Sequence, residues 1–294
     1  MTKYYGVYAA LLTSRDAEGD LDLTNYRRQF NMPAEELLSG YAINGATGEF
    51  LICAPDELAV MVSTARSAAP SKQLIVGIGA SNVRGAVLRG KIAKDNGADT
   101  LLLPMPSFFP YRQDDLRAFV LAVADAVSLP ILLYNLPQFT TRLDVDTAIA
   151  LLKAHENIVG IKDSSGMLDI MRAITEAKLG VARIIGNDDA LCKALELGLC
   201  DGVVSGVACT LPELITRLFI NGPASESFAP DRLLLDQFIA QLSLLPTPWG
   251  LKAASHVRGF SDASYPFPLS SERQIEIAAL EKWFCGWMHS VIKE

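Results

Sequence analysis

Gly202-Val203-Val204-Ser205 is a short apolar run, and Leu211-Pro212-Glu213 opens an amphipathic stretch after it that stops at Asn221-Gly222-Pro223. The first reads as a buried strand and the second as a helix with Pro and an acid in its first turn. Counted back toward the N-terminus, this is the eighth such unit. The other runs are Gly6–Leu12, Tyr41–Asn44, Leu74–Ile78, Thr100–Leu103, Ile131–Tyr134, Ile158–Ile161 and Ala182–Ile185. They are near-continuously apolar rather than alternating, as strands of a parallel sheet covered on both faces must be. Each gap has room for one helix. Eight even β-then-α units predict an α/β protein of the (β/α)8, or TIM barrel, type, rather than a doubly wound sheet. Beyond Gly222 the rhythm changes. Asp231–Leu245, Gly250–Gly259 and Ser271–Ile292 read as three helices with no strand between them. The expected division is a catalytic barrel over 1–222 and a C-terminal three-helix appendage over 223–294.

Composition narrows the function. The chain has 294 residues, half of them hydrophobic, and a net charge of −7. It can bury a large core, and with no basic patch it is not expected to bind nucleic acid or an anionic membrane. No apolar run reaches the ~18 residues of a membrane span. The stretch Met1-Thr2-Lys3-Tyr4-Tyr5 lacks the apolar core of a signal peptide, so a cytoplasmic protein is expected. Five scattered cysteines (Cys53, Cys192, Cys200, Cys209, Cys285) form no CxxC and read as reduced thiols. His155, His256 and His289 are far apart, so no metal is expected. There is no phosphate loop, dinucleotide fingerprint or Gly-x-Ser-x-Gly elbow, and no cofactor is expected.

Barrel enzymes place their chemistry at the C-terminal ends of the strands. After strand 2 comes Asn44-Gly45-Ala46-Thr47-Gly48-Glu49, where two glycines permit a tight loop with exposed N–H groups suited to a carboxylate or phosphate. An ordinary βα turn fits as well. After strand 5, Tyr134-Asn135-Leu136-Pro137 places a phenol at the barrel mouth or packs it as core. After strand 6, Lys162 directly continues Ile158-Val159-Gly160-Ile161. Burial disfavours an ammonium, and a neutral amine attacks ketones to form a Schiff base. A lysine that snorkels or finds an acid is the plainer reading of the position. Asp163 alternates to the other side and reads as structural. Gly186-Asn187-Asp188-Asp189 follows strand 7. Its acids could contact sugar hydroxyls or cap the next helix. Ser205-Gly206 ends strand 8 as a ligand contact or a tight turn.

Taken in order, these segments resemble the dihydrodipicolinate synthase / N-acetylneuraminate lyase family of pyruvate-dependent class I aldolases. The resemblance implies Lys162 as the Schiff-base lysine and Tyr134 as the proton-transfer phenol. It implies that Thr47, with the backbone of Ala46 and Thr47, holds the pyruvate carboxylate. It also implies a homotetramer. Three departures stand out. Ala46 replaces a hydroxyl residue. The loop Pro104-Met105-Pro106-Ser107-Phe108-Phe109-Pro110 lacks the synthases' tyrosine pair, and Tyr111 is displaced from it. Phe139 stands where synthases carry a carboxylate-binding arginine, with Arg142 nearby but on another part of the loop. A phenyl ring cannot donate to a carboxylate. The expected reaction is therefore cleavage of a 2-keto-3-deoxy sugar acid to pyruvate and an aldehyde. Gly186, Asp188, Asp189 and Ser205 would line the aldehyde half, and Phe139 would make it partly apolar. Alternatives are dihydrodipicolinate synthase or N-acetylneuraminate lyase activity, a keto-deoxy-acid dehydratase, a hydratase-aldolase on an aromatic substrate, or a non-catalytic keto-acid sensor.

Overall fold

The computed structural model describes residues 4–292; Met1–Lys3, Lys293 and Glu294, at the ends of the expected barrel and appendage, lie outside the described residues. Eight strands form a closed barrel in sequence order. They are β1 (Gly6–Ala10), β2 (Gly40–Ile43), β3 (Gln73–Gly77), β4 (Thr100–Pro104), β5 (Ile131–Asn135), β6 (Ile158–Asp163), β7 (Ala182–Ile185) and β8 (Gly202–Ser205). Every neighbouring pair is parallel, and β1 closes the ring on β8 with Val7 opposite Val203.

The helices between them are α1 (Leu23–Arg28), α2 (Pro55–Ala68), α3 (Val83–Asp95), α4 (Gln113–Ala126), α5 (Val145–Ala154), α6 (Asp169–Glu176), α7 (Asp188–Glu196) and α8 (Pro212–Asn221). The appendage follows as α9 (Phe228–Leu242), α10 (Trp249–Val257) and α11 (Ser271–Trp287). The barrel and the three later helices match the expected order. Details differ for physical reasons. The run Gly6–Leu12 leaves the ladder after Ala10. Leu11 still donates to Ala42, but the Leu12 N–H is taken by Gln29 Oε1 at 2.9 Å, so a side chain replaces the strand partner. Helix α9 starts before Asp231 because Pro230 lies in its first turn, where a missing N–H costs nothing.

Two apolar layers hold the fold. Outside the barrel, strand residues such as Val7, Val76, Leu101 and Ile161 meet the helices. Inside, Tyr8, Ala42, Ile75, Leu102, Leu132, Ile184 and Val204 fill the lumen. That is why the strands are apolar on both faces. Tyr134 belongs to the inner layer. The filled lumen forms the floor of the site, so a polar residue at a strand's C-terminal end stands on it and meets the mouth.

Candidate active site

β5 and β6 set the centre. Their register pairs Tyr134 with Lys162 directly, and both side chains face the lumen mouth. Lys162 is 4% exposed and Tyr134 2%. The Lys162 Nζ donates to Tyr134 Oη at 3.0 Å and also lies 4.1 Å from the centre of the tyrosine ring. The next residue on each strand points the other way, as the period of two demands. Asn135 Nδ2 donates to Asp163 Oδ1 at 3.0 Å, and Asn135 Oδ1 accepts from the Leu143 N–H at 3.0 Å. Asp163 is thus structural, and its pair with Asn135 locks the two strand ends that carry the lysine and the phenol. Burial pushes the Asp163 carboxyl up, against the pull of its donors.

Gly186, after β7, makes room for the lysine. A Cβ there would sit 2.6 Å from Lys162 Cε and 2.3 Å from Ser164 Oγ. Both lie in rigid, buried surroundings, so no larger residue fits without moving the amine. Ser164 is a site residue that the sequence reading passed over. It is 5% exposed, lines the cavity, and its hydroxyl has no partner among the described residues. Its signal was available: two residues past Lys162 on an extended chain is the same face.

In the loop after β2 the left-handed residues are Asn44 (φ +57°) and Glu49 (φ +56°). Asn44 is tolerant of that conformation. Gly48 is needed for space, since a Cβ would meet Asn44 N at 3.0 Å. Three hydrogen bonds fix the loop: Asn44 Nδ2 to Gly77 O at 2.8 Å, Thr13 Oγ1 to Gly48 O at 2.7 Å, and Lys252 Nζ to Glu49 Oε2 at 2.6 Å. The last contact comes from α10, so the appendage clasps the loop. Burial of Lys252 lowers its pKa, and Glu49 works against that shift. Ala46 and Thr47 line the cavity. Among the described residues their N–H groups donate to no protein acceptor.

The acids after β7 divide. Asp188 lines the cavity but is occupied: Ser205 Oγ donates to its Oδ1, and the Val207 N–H donates to Oδ2 at 3.1 Å. Removal from water raises its pKa, while these donors and the Lys162 charge oppose the rise. Asp189 is exposed at the cavity edge, and Asn187 caps α7 by accepting from its N–H. Ser205 is corrected. It is fully buried, lies outside the cavity wall, and spends its hydroxyl on Asp188 while accepting from the Ala208 N–H. It cannot contact a sugar hydroxyl from there.

The cavity measures about 280 Å³. Phe139 and Gln138 form one wall, and Ile239, Ser243 and Thr247 of the appendage form another. Among the described residues Lys162 is the sole cation in the lining. Arg142 turns away and pairs with Asp169, and Tyr111 lines a separate hollow beside Pro106. No group of three or more His, Cys, Asp or Glu among the described residues is placed to hold a metal ion. No helix among them is long and apolar enough to cross a membrane.

A buried lysine bonded to a phenol, under a loop with free N–H groups, brings together the groups that carbonyl chemistry on a keto acid needs. The Dihydrodipicolinate synthetase family matches residues 3–282. The chain belongs to that family. A 4-hydroxy-tetrahydrodipicolinate synthase of Halalkalibacterium halodurans is 30% identical over 247 residues, covering 80% of this chain and 83% of the relative. One from Streptomyces coelicolor is 33% identical over 208 residues, 70% and 67% of the two chains. Among solved structures, the dihydrodipicolinate synthase of Acinetobacter baumannii complexed with pyruvate superposes with a TM-score of 0.86 at 26% identity, over 99% of this chain and 100% of the other. YagE of E. coli K12, also in complex with pyruvate, gives 0.88 at 22% identity over 97% and 99%, a likeness of fold. Members of the family are carbon–carbon lyases and synthases that use pyruvate and a Schiff-base lysine, and this chain is such an enzyme.

Proposed function

We propose that the enzyme cleaves a 2-keto-3-deoxy sugar acid to pyruvate and an aldehyde, with Lys162 as the Schiff-base lysine and Tyr134 as the proton carrier. The observation that supports this most is the 3.0 Å bond between their side chains at the floor of the cavity. The substrate carboxylate lies against the N–H groups of Ala46 and Thr47 and the Thr47 hydroxyl. The Lys162 amine adds to the C2 carbonyl, Tyr134 Oη gives its proton to the hydroxyl that departs as water, and the iminium forms. The phenolate left on Tyr134 takes the proton of the C4 hydroxyl. The C3–C4 bond breaks, the aldehyde departs, and the electron pair flows into an enamine. A proton returns to C3, and water hydrolyses the iminium to pyruvate and the free amine. Run backwards, the same steps join the two.

Relatives named 4-hydroxy-tetrahydrodipicolinate synthase favour a second reading, in which pyruvate condenses with an aldehyde that carries its own carboxylate. Phe139 and the lack of any lining cation besides Lys162 among the described residues weigh against it, because a buried carboxylate left without a donor is costly. Pyruvate release from a panel of 2-keto-3-deoxy acids, set beside condensation of pyruvate with aspartate semialdehyde, separates the two. Turnover confined to the semialdehyde would overturn the cleavage reading. The working assembly is proposed to be a homotetramer in the cytoplasm, and sedimentation of the purified chain tests the first part.

A further inference from the structure

A second concavity of about 260 Å³ adjoins the reaction cavity, and the two share Ala46, Phe139 and Thr247 in their walls. Phe50, Leu51 and Ile52, just past the clasped loop, form one side. Phe139 forms the junction, and Trp249 and Phe267 of the appendage form the far side. Leu51 is 63% exposed, Phe139 51% and Phe267 63%. Large apolar side chains are thus held out in water around the mouth of a site that takes a polar substrate. Glu49 is the one carboxylate in this wall, and Lys252 occupies it. Among the described residues no Lys, Arg or His lines the concavity. The polar side chains of the reaction cavity, Gln138, Asn187, Asp189 and Ser243, stand in its own wall and not in the annex. The route outward therefore passes from hydrogen-bonding groups beside Lys162, over the Ala46 methyl and the Phe139 ring, to a surface that is apolar apart from the Thr247 hydroxyl at the junction, the Trp249 indole N–H and the engaged Glu49. A hydroxylated or carboxylated chain end placed there would lose water and gain few partners. A hydrocarbon end would lose nothing and bury its surface.

We propose that this annex is the subsite for the far end of the aldehyde, and that this end is an aryl or alkyl group. The inference rests on the Schiff-base reading above and narrows its substrate: hydroxyls next to the reacting carbon, hydrocarbon beyond. The test runs in the condensing direction, with pyruvate and either erythrose or 2,3-dihydroxy-4-phenylbutanal, which differs from erythrose only in carrying a phenyl group in place of the terminal hydroxyl, the products being read by mass spectrometry. The expected result is kcat/KM at least about tenfold higher for the phenyl aldehyde, with the preference shrinking about tenfold in Phe267→Ser and in Leu51→Ser. Both residues are largely exposed, so the folded barrel tolerates the changes. Erythrose equalling or beating the phenyl aldehyde, neither aldehyde condensing, or a preference that neither variant moves, overturns the annex. Borohydride trapping of the wild-type enzyme with pyruvate alone distinguishes the two failures. An adduct on Lys162 with no hydrocarbon preference sinks the annex only, and no adduct sinks the Schiff-base reading with it.

Discussion

Two buried lysines lie at the same end of this barrel and do opposite things. Lys162 is 4% exposed and gives its hydrogen bond to a neutral phenol. Lys252 is 2% exposed and gives its hydrogen bonds to the Glu49 carboxylate at 2.6 Å and the Ser264 carbonyl at 2.7 Å. The Glu49 carboxylate opposes the loss of charge that burial imposes on Lys252, and the contact spends the nitrogen on position. A phenol brings no fixed charge to Lys162, and it can pass a proton on. Burial alone therefore does not mark a reactive lysine. What marks it is the charge of the partner. The two also divide the work of the site, since Lys252 fixes the loop that would hold the carboxylate next to the carbonyl Lys162 would attack.

The comparison breaks most visibly at Lys162. Lys162→Ala should abolish the borohydride adduct with pyruvate and lower turnover by at least about 10⁴-fold, because the covalent route is gone. Tyr134→Phe should keep the adduct but cost about 10²–10³-fold in turnover, as loss of a positioned proton carrier does. An adduct surviving in Lys162→Ala would move the chemistry to another amine.

Lys252→Met should leave the adduct obtainable and weaken the fold instead. Removing one partner of a buried pair strands the other, at a cost of about 3–5 kcal/mol, read as a drop in the denaturant midpoint. Since Glu49 ends the carboxylate loop, half-saturation by pyruvate in the trapping assay should rise more than the trapping rate at saturation falls. A double change, Lys252→Met with Glu49→Leu, should recover much of the stability, because no charge is then left stranded.

Most of this architecture is legible in the sequence, and the Lys162–Tyr134 half of the site with it. Eight apolar runs became eight strands, because a strand buried on both faces has no choice but to be apolar. Tyr134 and Lys162 sit at the ends of two such runs, where a period of two fixes their direction. The rest depended on contacts that no local pattern carries. Lys252 meets Glu49 across 203 residues of chain. Ser205 could not be told from a ligand contact until α7 placed Asp188 over it. The annex needs Phe139, Phe50 and Phe267 from three distant loops, each of which reads alone as an unremarkable apolar residue.

Phe139 allows the partner rule to be tested by addition. Phe139→Arg would place an unpaired guanidinium at the junction of the cavity and the annex. If charge partnership decides what each half of the site accepts, the variant should gain about tenfold in kcat/KM for an aldehyde bearing a carboxylate, relative to a neutral one of equal length. No gain would mean that the guanidinium finds Asp188 or Asp189 instead, and that the acceptor half is shaped by more than charge.

The smallest expected effect concerns how far the charge on Lys162 reaches. Asp188 has its carboxyl raised from the usual 3.8, first by burial, while Ser205, the Val207 N–H and Lys162 pull it back. Between 3.8 and that raised value the folded chain keeps a proton that the unfolded chain has released. Stability contributed by this group is therefore full below that window and falls as pH rises through it. Asp188→Asn should flatten this decline in the curve of thermal midpoint against pH above 3.8. Lys162→Met should do the reverse: without the cation the carboxyl rises further, and the decline extends to higher pH. If Lys162→Met leaves the decline where it was, the lysine's charge does not reach Asp188.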